Sequence, residues 1–251
     1  MTTAILGALA QEQSGLLAAL QQPVRTQHAG RSFSSGVLHG QPVVLALSGI
    51  GKVAAATTAS ALIERFGATR IVFTGVAGGV GDGVNVGDVV VARSYVQHDM
   101  DASPLFARWL VPGYADICLP CDSELSALLS GAASAYLASV SGLFDINSGT
   151  TAPRLHHGLM ASGDRFINCP EVSNALRTPL LDAGHDVLAV EMEGAAVAQV
   201  CLDYGVAFAA MRTISDRADA TAHVDFAQFI DTVASRYADH IVRNLLQSLP
   251  K

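Results

Sequence analysis

Short apolar runs return along this chain, and between them lie segments whose apolar residues recur at helical spacing. Ala4–Leu9, Val43–Leu47, Ile71–Thr74, Asp88–Val96, Leu159–Ala161, Val187–Val190 and Ala207–Ile214 read as strands. Helices are expected over Gln11–Leu20, Val53–Phe66, Ser123–Leu137, Glu171–Ala183, Glu193–Tyr204 and Phe226–Leu249. Strands that alternate with helices and carry few polar residues predict an α/β fold, with a largely parallel sheet covered on both faces. The 251 residues are 50% hydrophobic and 15% charged, enough for one sizeable core. With neither repeat nor linker visible, residues 1–251 are expected to form one domain. Segment 99–122 is the least regular stretch, with Pro104, Pro112 and Pro120; it is either a functional or interaction loop or a surface insertion.

Charge narrows the partners. The net charge is −7 and the only lysines are Lys52 and Lys251, so nucleic acid and anionic membrane surfaces are poor partners. No run of about 20 apolar residues is present and the N-terminus lacks a secretory pattern, so a membrane span or export signal is not expected. The cysteines at 118, 121, 169 and 201 fit a reducing compartment, and a cytoplasmic location is expected. Cys118-Leu-Pro-Cys121 has no second pair to complete a zinc site and lacks the surroundings of a redox motif.

Two glycine-rich turns follow strands. Gly49-Ile-Gly51-Lys-Val-Ala54 has the spacing of a dinucleotide fingerprint at a helix N-terminus. The following strand ends in Thr74-Gly75 with no carboxylate for a ribose hydroxyl, so a tight strand-to-helix turn is the better reading. Lys52 is followed by Val53 rather than Ser or Thr, which excludes a phosphate-loop lysine. Gly75–Gly83 reads as a loop at a strand end, where α/β sheets place ligands.

Acidic groups stand just beyond three strands: Glu12, the pair Glu191 and Glu193, and Asp216 in Arg212-Thr-Ile-Ser-Asp216. Each alone is explained by helix capping, Ser215 included. Together, flanked by apolar strands, they point to acid–base work on a neutral polar ligand.

Read in order, Ile5-Leu-Gly-Ala-Leu-Ala-Gln-Glu12, Ser48-Gly-Ile-Gly-Lys52, Thr74-Gly-Val-Ala-Gly-Gly79 and Val86-Gly-Asp-Val-Val90 resemble motifs of the 5′-methylthioadenosine/S-adenosylhomocysteine nucleosidases. Ser162-Gly-Asp-Arg-Phe-Ile-Asn168, Val190-Glu-Met-Glu-Gly194 and Arg212-Thr-Ile-Ser-Asp-Arg-Ala-Asp219 continue the likeness, which spans the chain except about 100–155. The resemblance implies a nucleoside phosphorylase-like, single-domain three-layer α/β/α sandwich around a mixed, partly closed β-sheet. It implies a homodimer, for which loop 99–122 is the candidate interface, and it calls for no cofactor and no metal.

By the same resemblance, Asp216 is the acid that protonates adenine N7, and Glu12 the base that orients and deprotonates water. Arg212 helps position that water and Glu12. Glu193 holds the ribose hydroxyls with Met192 against the sugar, Phe166 stacks on adenine, and the Ile167 backbone reads its edge. Ile50, Phe226, Glu191, Ser215, Val76 and Leu9 complete the substrate-binding set. The roles require Asp216 to keep a proton near neutrality and Glu12 to be ionised. Val76 stands where the family carries Ser or Thr, Leu9 replaces a methionine, and His98–Leu105 with its continuation Phe106–Cys121 only partly resembles the segment that lines the 5′ pocket, so the 5′ substituent is left open: methylthio, homocysteinyl, a futalosine-type tail or an adenosyl lipid. Glu12 in place of a cationic turn favours water over phosphate as the attacking group. The alternatives are a phosphate-dependent purine nucleoside phosphorylase and a non-catalytic nucleoside- or nicotinamide-binding module.

Overall fold

The computed structural model describes residues 1–140, 152–219, 222, 229 and 235–250. Eleven described strands share one sheet: β1 (Thr2–Gly7), β2 (Gln21–His28), β3 (Arg31–Leu38), β4 (Gln41–Leu47), β5 (Ala68–Phe73), β6 (Val76–Gly79), β7 (Val89–Gln97), β8 (Leu119–Pro120), β9 (Leu155–Ser162), β10 (Val187–Glu191) and β11 (Ala207–Asp216). The helices are α1 (Ser14–Ala19), α2 (Lys52–Glu64), α3 (Ser123–Val140), α4 (Pro170–Asp182), α5 (Gly194–Tyr204) and α6 (Ser235–Ser248). The expected helix Phe226–Leu249 is described from Ser235, and Phe226 itself lies outside the described residues.

Side chains that alternate along the central strands explain the layering. Ala4 and Leu6 of β1, Val44 and Ala46 of β4, and Ile71 and Phe73 of β5 face one core with Ala55, Ala59 and Leu62 of α2 and Val197 of α5. Ile5, Val43, Leu45 and Val72 point the other way, into a core with Leu16 of α1, Leu125 and Leu129 of α3 and Ile241 and Leu245 of α6. Consecutive strand residues point to opposite faces, so an unbroken apolar run needs helices on both sides.

The sheet is mixed. β4, β1, β5 and β11 run parallel, whereas β6 with β10 and β7 with β11 are antiparallel. β11 bridges the two halves: Ala207–Ala210 lie along β5, Met211–Thr213 pair with β7, and Thr213–Asp216 pair with β6. The order β11–β6–β10–β9–β7, with β7 returning to β11, closes part of the sheet into a ring. The largely parallel sheet expected from the strand runs is corrected accordingly; apolar runs report burial and not direction.

One further expectation changes, and one hairpin was not expected. Gly75–Gly83 is not wholly a loop, because it contains β6. Glycine has little strand preference, and the reason for it here lies in what packs against the strand. The hairpin β2–β3 leaves no apolar run, because β2 is exposed along almost its whole length.

Candidate active site

β1 ends at Gly7, and the chain folds back through a 3-10 turn, Ala10–Gln13. Gln13 ties that turn down through Nε2, which donates to the carbonyls of Ile5 and Ala46, both at 2.9 Å. The Glu12 carboxylate then returns over its own turn, where Oε2 accepts the N–H groups of Ala8 (2.7 Å) and Leu9 (2.9 Å). Two glycines make room: a Cβ on Gly7 would lie 3.1 Å from Glu12 Oε2, and one on Gly75 2.9 Å from Oε1. Glu12 is 2% exposed. Burial pushes its carboxyl above the usual range, against the opposing pull of the Leu9, Ala8 and Val76 N–H groups and the Arg212 charge. The shift strengthens the carboxyl's hold on a proton relative to an exposed glutamate. A base with its pKa moved toward the working pH is better matched to proton transfer than a fully dissociated one.

Asp216 closes β11, where a register irregularity between Ile214 and Asp216 places it opposite Gly78. Its Oδ2 accepts the Ser215 hydroxyl at 2.8 Å and its Oδ1 accepts the Ala218 N–H at 2.8 Å. A Cβ on Gly78 would lie 2.9 Å from Oδ1. A glycine thus faces each carboxyl group, Gly75 just before β6 against Glu12 and Gly78 within β6 against Asp216.

β10 enters the ring antiparallel to β6, so Val190 also sits opposite Gly78. The three acidic segments do not meet as neighbouring ends of one parallel sheet. They meet because the ring turns β10 back against β6.

Glu191 and Arg212 form a buried ion pair, Nη2 to Oε2 at 2.7 Å. Arg212 Nη1 also donates to the carbonyls of Phe73 (3.2 Å) and Met211 (3.0 Å), and its guanidinium lies 4.0 Å from the centre of the Phe73 ring. The Glu191 carboxylate accepts the Ser162 hydroxyl and the N–H groups of Gly194 (2.8 and 3.0 Å to its two oxygens) and Glu193 (3.2 Å). A buried pair is sustained only when its remaining donors and acceptors are met, as they are here. Arg212 stands behind the cavity wall: its direct carboxylate partner is Glu191, and its charge reaches Glu12.

Glu193 stands at the N-cap of α5, and its Oε1 accepts the Gly51 N–H at 2.7 Å. Burial, followed by the Glu191 charge, pushes its carboxyl up to about 7, with the Gly51 N–H and Arg212 opposing. The next N–H of helix α2, that of Lys52, donates to Asp164 Oδ1 at 2.7 Å. Gly51 holds φ +95°, and a Cβ there would sit 3.0 Å from the same oxygen. The fingerprint-like turn thus offers its N–H groups to the protein's own carboxylates, in place of a pyrophosphate.

These groups border a cavity of 430 Å³, within the size of small-ligand sites. Phe166, Ile167 and Ile50 form apolar walls, joined by Leu9, Val76 and Met192. Glu12, Glu191, Glu193, Ser215 and Asp216 supply the polar lining. Sequence reasoning assigned no role to Arg165, which is also on the wall, nor to Ser162 and Gly51, which anchor the two glutamates. All three stand inside quoted motifs, but only spatial contact reveals their partners. The CxxC cysteines lie elsewhere, Cys118 with Sγ 3.7 Å from His185 Nδ1 and Cys121 beside Cys201 in a second pocket. Burial raises the Cys118 thiol and takes Cys121 up to about 12, which leaves both poor nucleophiles.

The phosphorylase superfamily model matches residues 2–247. The 5′-methylthioadenosine/S-adenosylhomocysteine nucleosidase of Mycobacterium tuberculosis is 35% identical over 262 residues, covering 100% of this chain and 97% of the relative. Among solved structures, the S-adenosylhomocysteine nucleosidase of Streptococcus pyogenes in complex with 5-methylthiotubericidin superposes with a TM-score of 0.85 at 31% identity, covering 100% of this chain and 98% of that one. Futalosine hydrolase of Helicobacter pylori gives 0.84 at 30% identity, covering 99% and 98%. With the fold, the motifs and near-complete coverage in agreement, the chain belongs to the 5′-methylthioadenosine/S-adenosylhomocysteine nucleosidase family of the phosphorylase superfamily.

Proposed function

We propose that this protein hydrolyses the N-glycosidic bond of an adenine 5′-thionucleoside, 5′-methylthioadenosine or S-adenosylhomocysteine, releasing adenine and the 5′-thioribose. The observation that carries the reading is the placement of Glu12 and Asp216 on the wall of one cavity, packed against Gly75 and Gly78 of the same glycine-rich segment. Cleavage passes through a sugar cation, so protonating the departing base and placing carboxylates near the sugar both lower the barrier. Asp216 gives its proton to adenine N7, Glu12 takes one from water, and Glu193 accepts the ribose hydroxyls. Phe166 stacks on the base. The apolar Leu9, Val76, Met192 and Ile50 surround the sugar and the thioether.

Water is favoured over phosphate because the titratable wall residues are the carboxyl groups Glu12, Glu191, Glu193 and Asp216, with Arg165 the one cation among the described residues of the wall. A phosphate beside Glu12 would meet a carboxylate where it needs donors. A second substrate is favoured by the likeness to futalosine hydrolase, a relative of the same similarity. The enzyme is further proposed to be a cytoplasmic homodimer, one domain per chain, with water as co-substrate and no metal or cofactor. The test is adenine release from methylthioadenosine in phosphate-free buffer, followed by phosphate addition and a futalosine arm. Release without phosphate is expected; release only with phosphate would make the protein a phosphorylase.

A further inference from the structure

Both ends of Lys52 are engaged. While its N–H holds Asp164, its Nζ reaches Asp99 Oδ1 at 2.5 Å and Gln97 Oε1 at 3.1 Å. The other Asp99 oxygen, Oδ2, accepts the N–H of Asp164 at 2.9 Å. Lys52, Asp99 and Asp164 thus form a closed circuit, and Gln97 extends it to α5 through Gln199 at 2.8 Å.

The circuit joins three segments: the start of α2, the exit of β7 and the turn after β9. None of its three members lines the cavity, yet each wall is a step away. Lys52 follows Gly51, which holds Glu193, and Asp164 stands two residues before Phe166. The walls it serves are otherwise poorly covered, with Phe166 40% and Ile50 63% exposed. The ion pair is partly shielded, with side-chain exposures of 17% for Lys52 and 33% for Asp99. Burial would raise the Asp99 carboxyl, but the hydrogen bonds from Lys52 and the Asp164 N–H, with the Lys52 charge, hold it below the usual range. The turn also packs closely on β7's exit: a Cβ on Gly163 would lie 2.3 Å from His98 Nε2.

We propose that Asp99 is a positioning residue for the nucleoside: through Lys52 and Asp164 it sets the spacing between the base wall, Phe166 and Ile167, and the ribose carboxylate Glu193. This rests on the nucleosidase reading above. Glu12 and Asp216 stand outside the circuit, so its loss acts on substrate placement more than on proton transfer.

The test compares wild type, Asp99→Asn, Lys52→Gln and the double variant, each checked for fold by circular dichroism, using methylthioadenosine hydrolysis and calorimetric titration with adenine. The expected result is a KM about 10-fold higher with kcat changed far less, because misplacement by a fraction of an ångström weakens binding of base and sugar together. The double variant is expected to be no worse than either single one, since each breaks the same circuit. A purely structural role would lower the melting temperature without that KM-against-kcat split. Unchanged KM in either folded single variant, or additive losses in the double, would overturn the proposal. If wild type binds adenine but leaves methylthioadenosine intact, the hydrolase reading fails alone. Adenine affinity then decides: weaker binding in Asp99→Asn supports positioning, and equal binding ends it. A wild type that neither binds adenine nor cleaves the nucleoside refutes both.

Discussion

Asp216 and Glu12 are both carboxylic acids in one cavity, yet their surroundings differ in kind. Asp216 accepts the Ser215 hydroxyl and the Ala218 N–H, whereas Glu12 is gripped by its own turn and lies within the field of Arg212. An Asp216→Asn variant keeps the shape but carries no acidic proton, so kcat should fall by about 10²–10⁴-fold with the fold intact; wild-type turnover would remove Asp216 as the acid. Glu193 gives a pH signature. Burial and the Glu191 charge push its carboxyl up to about 7, and only the ionised form offers both oxygens as acceptors, to Gly51 and the ribose hydroxyls together. Activity should therefore fall as pH drops through about 7. Folding stability has the opposite sign, because the native state holds this proton more tightly than the unfolded chain. That contribution is complete below the ordinary glutamate value of 4.5 and is lost as pH rises to about 7. In pH–rate profiles of kcat/KM, Glu193→Gln should lose the limb at about 7; a limb that persists there belongs to another group.

At the scale of elements, β6 and the β10–α5 junction carry the site. β6 reaches Glu12 through the Val76 N–H and packs on Asp216 at Gly78, where a Cβ would not fit. Gly78→Ala would place a methyl 2.9 Å from Asp216 Oδ1, so either strand or acid must move. A loss of about 10²-fold in kcat/KM is expected from such a displacement, measured against an unchanged far-ultraviolet spectrum. The Glu191–Arg212 pair fastens β10 to β11 and caps the start of α5. Replacing Glu191 by Ala strands a buried guanidinium, and denaturant unfolding should show a loss of about 3–5 kcal/mol. A loss below about 1 kcal/mol would mean that water reaches the site. The sequence made the acids at strand ends visible, because polar residues beside apolar runs are a local pattern. It did not reveal that β6 is a strand or that Arg212 pairs with Glu191. Glycine conceals strand character, and a pair 21 residues apart has no periodic signature.

For the whole molecule, several large apolar side chains are left on the outer surface. Ile50 at the cavity wall, Val53 at the start of α2, and Leu105 and Phe106 in the irregular segment beyond β7 are exposed. Trp109 and Val111 of that segment are buried in its own subunit, so the segment is packed as well as exposed. Exposed large apolar side chains of this kind favour association, and light scattering should report a dimer; a monomer at micromolar concentration would count against loop 99–122 as the interface. Sequence alone determined the strand–helix alternation, the two-faced burial of β1, β4 and β5, and the ordered motifs that mark the family. These follow from periodicity and from short-range chemistry, which any stretch of chain displays by itself. Tertiary structure decided the closure of β11 onto β7, the return of β10 against β6, and the filling of the α2 N-terminus by Glu193 and Asp164. Each of those joins segments far apart in the chain. Their pairing is set by register, close packing and the need to satisfy buried charge, which become definite only when the whole sheet has closed.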